Sequence, residues 1–209
     1  MKLYYDVSAC SLSPHIVLRE AGLEFELEWV DLKTLRTASG ADFSQINPKG
    51  YVPVLELDDG QILTEGAPMV QYIADLAPKS NLIPPVGSIE RYRVAEWLTF
   101  TLAELHRGFT PLFSSDLPAD ILDSARQRLY GRFDYLAKHL DGKPYLLGDT
   151  FTVADAYCFT ILNWAQFVDV DMSRWPTLET YVERVKARPK VQEAMQAEKM
   201  DYQGANQNG

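Results

Sequence analysis

The sequence predicts two units of different class: a mixed α/β unit followed by an all-helical one. Three observations predict this. Strand and helix signals alternate over residues 1–77. Pro78, Pro84 and Pro85 then fall close together, as in a linker. From residue 87 onward, period-two alternation gives way to apolar residues at helical spacing.

The first unit reads in order. Residues 2–6 form a short β-prone run through Leu3, Tyr4 and Tyr5. Ser13-Pro14 has the chemistry of an N-cap followed by proline at the first helical position. Ile16, Val17 and Leu18 continue that helix, and Gly22 suits its end. Residues 24–31 alternate Glu24, Glu26 and Glu28 with Phe25, Leu27 and Trp29, which predicts a half-buried strand with a solvated acidic face. Two strands around one helix suggest a parallel βαβ unit. Residues 32–50 are polar and irregular, and end in the turn signal Asn47-Pro48-Lys49-Gly50. Residues 52–57 and 61–64 are strands around the hairpin chemistry of Asp58-Asp59-Gly60. Residues 66–76 are a helix with Met69, Val70 and Ile73 on one face. The order β-α-β then β-β-α is that of a thioredoxin-like domain over 1–77.

Residues 78–86 are the linker and 87–200 the helical domain. Val94, Trp97, Leu98, Leu102, Leu105 and Phe109 share one helix face, which Pro111 ends or kinks. A second face runs from Ile121 to Leu140, stopped by Gly142. Thr152-Val153-Ala154-Asp155 resembles a capping box. Residues 156–167 are apolar nearly all round, as in a buried central helix. Leu178, Tyr181, Val182 and Val185 mark a further helix, interrupted at Pro189. Residues 201–209 read as a polar, frayed tail.

Composition narrows the function. The chain has 209 residues, 46% of them hydrophobic, enough for a sizeable core. The net charge of −9 disfavours nucleic acid and anionic lipid as partners. There is no membrane-length apolar run and no secretory h-region after Met1. Two cysteines, Cys10 and Cys158, make neither a disulfide framework nor a metal-type spacing. A cytoplasmic protein without a metal is expected.

Candidate chemistry collects at the loops. Cys10 lies between the first strand and first helix, where the helix dipole favours a thiolate and a lowered pKa. The bland alternative is a small buried hydrophobe. Ser13 stands where a second cysteine would complete a Cys-x-x-Cys pair, which disfavours two-thiol exchange. Ser11 and Tyr5 could hydrogen-bond a thiolate there, although Tyr5 also suits ring packing in a strand. Pro53 cannot donate to a ladder, and a cis Val52-Pro53 bond would free neighbouring backbone for a peptide-like ligand. Glu65 and Gly66 open a helix; its amides could hold a carboxylate and Glu65 an ammonium, or the segment is an ordinary cap. Thr99, Ala103, His106 and Thr110 share a stripe that lines a cleft or a solvated flank. His15 and His139 belong to no constellation and read as structural or exposed.

Ala9-Cys10-Ser11-Leu12, Asn47-Pro48-Lys49-Gly50, Val52-Pro53-Val54-Leu55, Leu63-Thr64-Glu65-Gly66, the run from Glu104 to Phe113 and the run from Phe151 to Tyr157 occur in this order over nearly the whole chain. In that order they resemble cytosolic glutathione S-transferases, most closely the bacterial beta class. The resemblance implies a thioredoxin-like N-terminal domain followed by an all-α C-terminal domain. It implies an enzyme conjugating glutathione, as co-substrate, to apolar electrophiles, and a homodimer. Cys10 would face the glutathione sulfur, assisted by Ser11, His106 or Tyr5. Val52 and Pro53 would meet the cysteinyl part, Glu65 and Gly66 the γ-glutamyl end, and Tyr51, Thr99, Glu104, His106 and Arg107 would complete the site. Glu104 would serve the partner subunit's glutathione. The sequence departs from the family at Asp6-Val7-Ser8, at Tyr51 for glutamine, at Leu35 for lysine and at Thr99 for asparagine. Alternatives are a thiol transferase or reductase using Cys10, and a non-catalytic binding protein on the same fold.

Overall fold

The computed structural model describes the backbone of residues 1–207 and the side chains of residues 1–199. By contacts the chain divides into Met1–Leu82 with Arg188–Gly209, and Ile83–Ala187.

In the first unit, β1 (Lys2–Tyr5) leads to α1 (Leu12–Glu20), β2 (Glu26–Asp31), β3 (Arg36–Thr37), α2 (Phe43–Ile46), β4 (Val54–Glu56), β5 (Ile62–Thr64) and α3 (Gly66–Leu76). One five-stranded sheet has the order β3-β2-β1-β4-β5. β1 is central: parallel to β2, antiparallel to β4. β4 and β5 form the hairpin read from Asp-Asp-Gly. This is the expected thioredoxin-like order, with one strand and one helix added.

Both additions fall in residues 32–50, which the sequence presents as irregular. They change the reading of β2. Val30 lies on the same face as Glu26 and Glu28, yet it is fully buried, packed with Tyr4, Phe43, Val52 and Val54. Phe43 on α2 covers that face, so the acidic side of β2 is only partly solvated. Glu28 instead accepts the Ser39 N–H at 2.9 Å. Leu3 and Tyr5 are fully buried on the opposite face of the sheet.

The last helix of the chain, α9 (Pro189–Gln207), packs on α1. The 87–200 helical span read from sequence therefore gives up its last helix to the first unit. The sequence shows an interruption at Pro189 but gives no sign that a separate helix begins there or which element it meets. The polar tail at 201–209 falls largely on this helix; its side chains, and residues 208–209 altogether, lie outside the described residues.

The second unit contains α4 (Ile89–Phe100), which passes through π-type turns at Thr101–His106 into α5 (Arg107–Phe109). Pro111 sits in the tight turn Thr110–Phe113 that ends this run. Then come α6 (Ala119–Leu140), α7 (Val153–Leu162) and α8 (Pro176–Lys186). Every residue of α7 is buried, as its all-round apolarity predicts.

Asp155 anchors the start of α7. It is fully buried and accepts from Thr152 N–H at 2.9 Å, Thr152 hydroxyl at 3.0 Å, Leu146 N–H at 2.8 Å and Tyr181 hydroxyl at 3.1 Å. Burial is the largest influence on its carboxyl and pushes it up to about 6, although these donors pull the other way. Asp155→Ala strands several buried donors at once and is expected to cost about 2–4 kcal/mol. A carboxyl raised in the folded state stabilises below its unfolded value of roughly 4 and loses that contribution as pH climbs through the folded value. The wild-type contribution from Asp155 therefore falls between about pH 4 and 6. Denaturant unfolding across that range checks both: the alanine variant should be less stable and should lack this component of the slope.

Candidate functional site

The turn between β1 and α1 carries Cys10. Ser11 closes it: its hydroxyl donates to the Asp6 carbonyl at 3.1 Å and accepts the Asp6 N–H at 3.2 Å. Asp6 Oδ1 accepts the Trp29 indole N–H at 3.0 Å and the Val7 N–H at 2.8 Å. Ser8 takes a left-handed backbone, φ +60°. Ser11 is fully buried, and so is Tyr5, whose ring lies near that of His15.

Cys10 donates its thiol hydrogen to the Val52 carbonyl, with Sγ and O 3.4 Å apart. The residue keeps some exposed surface, but its thiol is strongly desolvated. Burial pushes its thiol up to about 12, against the backbone amides of Cys10 and Ser11, which lower it. This corrects the expectation of a depressed pKa. Cys10 precedes Ser11, the N-cap of α1, so it stands before the helix proper. There, desolvation outweighs the dipole.

The Val52-Pro53 bond is cis, as the fold context predicts. The Asn47-Pro48-Lys49-Gly50 turn leads into it. The Asn47 amide donates to the Tyr51 carbonyl at 2.7 Å, and Gly50 supplies φ +71°. Leu35, where the family often has lysine, packs against the Tyr4–Phe43–Val52 cluster.

Glu65 precedes α3 with φ +71°, an uncommon conformation for a residue with a side chain. The Glu65 side chain makes no cap bond at the start of this helix. Glu65 Oε1 accepts from Lys49 Nζ and from the Tyr51 hydroxyl, each at 2.7 Å, and Lys49 also reaches the Thr64 hydroxyl at 2.9 Å. The structure thus brings Cys10 to Val52, and Tyr51 to Glu65. Lys49 is a member of this group that sequence reading treated only as part of a turn.

The second unit holds the other expected residues. His106 ends the π-type segment; its Nδ1 lies 2.8 Å from the Tyr157 hydroxyl, and its ring meets the Trp164 ring edge-on at 4.8 Å. Burial, then the Arg107 charge, lowers His106 to about 4, so it is neutral at pH 7. Arg107 is exposed, and the Thr99 hydroxyl bonds the Ala95 carbonyl of its own helix at 2.8 Å. Glu104 is paired with Arg132 at 2.5 Å. That pair, with Glu96, Trp97, Phe100 and Tyr135, lines a groove of about 370 Å³ within this unit. Among the described residues, no group of three or more His, Cys, Asp or Glu is placed to hold a metal ion, and no helix is long and apolar enough to cross a membrane.

Comparison with known proteins decides the family. Residues 7–76 match the family model of the glutathione S-transferase N-terminal domain, and residues 100–189 that of its C-terminal domain. The chain belongs to the glutathione S-transferase family. It is similar to glutathione S-transferase GstA of Escherichia coli O157:H7: 44% identical over 198 residues, covering 95% of this chain and 98% of GstA. The bacterial transferase BphK, solved as a ternary complex, is 51% identical with a TM-score of 0.93, over 95% of this chain and 99% of that one. A beta-class transferase of Sphingomonas chungbukensis is 41% identical with a TM-score of 0.91, over 95% and 98%. The resemblance to the bacterial beta class therefore holds for the transferase as a whole.

The state of Cys10 is testable without any ligand. A thiol raised to about 12 has roughly a thousandfold less thiolate near pH 7.5 than an ordinary one near 8.5, partly offset by the greater nucleophilicity of a more basic thiolate. Alkylation of Cys10 by iodoacetamide should therefore run about a hundredfold slower than that of a free thiol. The rate should still be rising at pH 9. A plateau near pH 7, followed by mass spectrometry, would contradict this.

Proposed function

We propose that this enzyme conjugates glutathione to small apolar electrophiles. Residues 1–77 bind glutathione and the helical residues 87–187 supply the electrophile pocket. Glutathione gives its thiol proton up to solvent water, and its sulfur uses the freed electron pair to form a bond to the electrophilic carbon. Any leaving group departs with its own pair.

The observation that carries this reading is the neutral Cys10 thiol, which holds a hydrogen on the Val52 carbonyl. A neutral S–H can turn to donate to an incoming thiolate, whereas a second thiolate would repel it. Cys10 thus serves as donor rather than nucleophile, beside the backbone of Val52 and Pro53. Thiol exchange led by Cys10 needs a thiolate at neutral pH, and the raised pKa works against it.

We assign the γ-glutamyl end to Glu65, Gly66 and Tyr51. Glu65 already accepts two donors at one oxygen, as it would an ammonium. The amides at the start of α3, which the Glu65 side chain does not cap, suit a carboxylate. Ser11 and Tyr5, both buried, shape the turn and its strand. Thr99, Glu104, His106 and Arg107 are assigned to glutathione on the family resemblance, as are the homodimer and the cytoplasmic location.

Two outcomes follow. Cys10→Ala should abolish whatever glutathione–protein mixed disulfide the wild type slowly accumulates at Cys10 under glutathione disulfide, seen by mass spectrometry, while conjugation falls less than about tenfold because one hydrogen-bond donor is lost. Complete loss of conjugation with glutathione binding retained would make Cys10 essential to the chemistry and overturn the division of roles. Light scattering at micromolar protein should give a dimer mass, and a monomer mass would remove Glu104 from any neighbouring site.

A further inference from the structure

We propose that Glu198, on the last helix, is a positioning residue for the turn that carries Cys10. It rests on the reading above only in that this turn serves glutathione.

Glu198 is 2% exposed, and both its oxygens are used. Oε2 accepts the Ser8 N–H at 3.2 Å, and Oε1 lies 3.0 Å from His15 Nδ1. His15 is fully buried on α1. Arg19 Nε donates to His15 Nε2 at 2.8 Å. Nε2 is therefore the acceptor, so Nδ1 carries the hydrogen and donates to Glu198. Burial and the nearby Arg19 charge keep the ring neutral. The result is one directed chain, Arg19 to His15 to Glu198, meeting a backbone donor at its end.

The backbone donor matters most. Ser8 stands two residues before Cys10, in a left-handed conformation that residues with a side chain seldom adopt. The Glu198 carboxylate gives the Ser8 N–H a charge-assisted bond that holds this conformation. Its own position is fixed from α1. The helix is held at its start too, where Arg188 grips Glu20 through two bonds of 2.7 and 2.9 Å. The last helix thus acts as a brace on the β1–α1 turn. Without the carboxylate the turn relaxes, and the Cys10 sulfur loses part of its enclosure.

The test reads Cys10 alone, without glutathione, so the result stands whatever becomes of the conjugation reading. Iodoacetamide alkylation of Cys10 is followed by peptide mass spectrometry between pH 7 and 9. Glu198→Ala is expected to react about threefold faster at a given pH, as a fall of one unit in thiol pKa would give once the lower nucleophilicity of the less basic thiolate is set against its larger population. Val191→Ala is the control: Val191 is fully buried on the same helix, about two turns away, so it loosens the helix without touching Ser8. Its Cys10 rate should match the wild type. Glu198→Gln keeps an oxygen for Ser8 but sets an NH₂ against the His15 N–H, and should fall between. If Glu198→Ala does not fold, by circular dichroism, the glutamine variant carries the test. An unchanged rate in whichever Glu198 variant folds overturns the proposal. So does an equal acceleration in Val191→Ala, which would mean that helix packing alone sets the turn.

Discussion

The hydrogen bonds that hold the Asp6–Ser11 turn are the constraint on which the first unit's chemistry depends. A turn at the end of a central strand must leave the sheet and enter α1 within a few residues. Here it does so with a left-handed serine rather than a glycine. Three ties make that possible. Trp29 on β2 holds Asp6, Ser11 closes the turn on Asp6, and Glu198 on α9 takes the Ser8 amide. Each tie comes from a different element, so the turn is set only once the sheet, α1 and α9 have assembled. That explains why α9 groups with the first unit although sequence order joins it to the helices before it.

The same packing decides the state of Cys10. A helix N-terminus offers about 0.3–1 kcal/mol to an anion, less than one pKa unit. Desolvation of a thiol can exceed that by several units. Cys10 stands outside the helix and within packed surroundings, so the larger effect wins. The Val52 carbonyl reinforces the outcome because it can bond only to the protonated thiol.

Most of the fold was legible because periodicity reports it directly. The strands around Leu3 and Leu55, the hairpin at Asp58-Asp59-Gly60 and the wholly buried α7 all followed from spacing and turn chemistry. β3 and α2 were not legible, because two-residue and four-residue elements are too short to show a period. Phe43, with Leu32, Leu35 and Ile46, was the available sign that residues 32–50 cover something. In the site, Cys10, Val52 and Glu65 stood out through position and resemblance. Glu198 and Lys49 did not, because their partners lie 190 and 16 residues away in sequence and no local pattern connects them. His15 looked isolated for the same reason. The direction of the Cys10 shift was misread because a sequence shows the adjacent helix but not the packing.

The departures from the family at Tyr51 and Leu35 have opposite physical consequences. Tyr51 replaces an amide by a hydroxyl but remains a donor, and its hydroxyl reaches Glu65. Both it and Lys49 are exposed, so exchanging either for a ligand ammonium costs little, as for any surface ion pair. Leu35 cannot replace a lysine in this way. Its side chain packs on the Tyr4–Phe43 cluster, and no charge remains at that position. If glutathione binds as proposed, its γ-glutamyl end meets a full set of polar partners, while its glycine end loses one cation. Recognition in this enzyme then leans toward the start of α3, where the Glu65 carboxylate stands beside the helix-start amides.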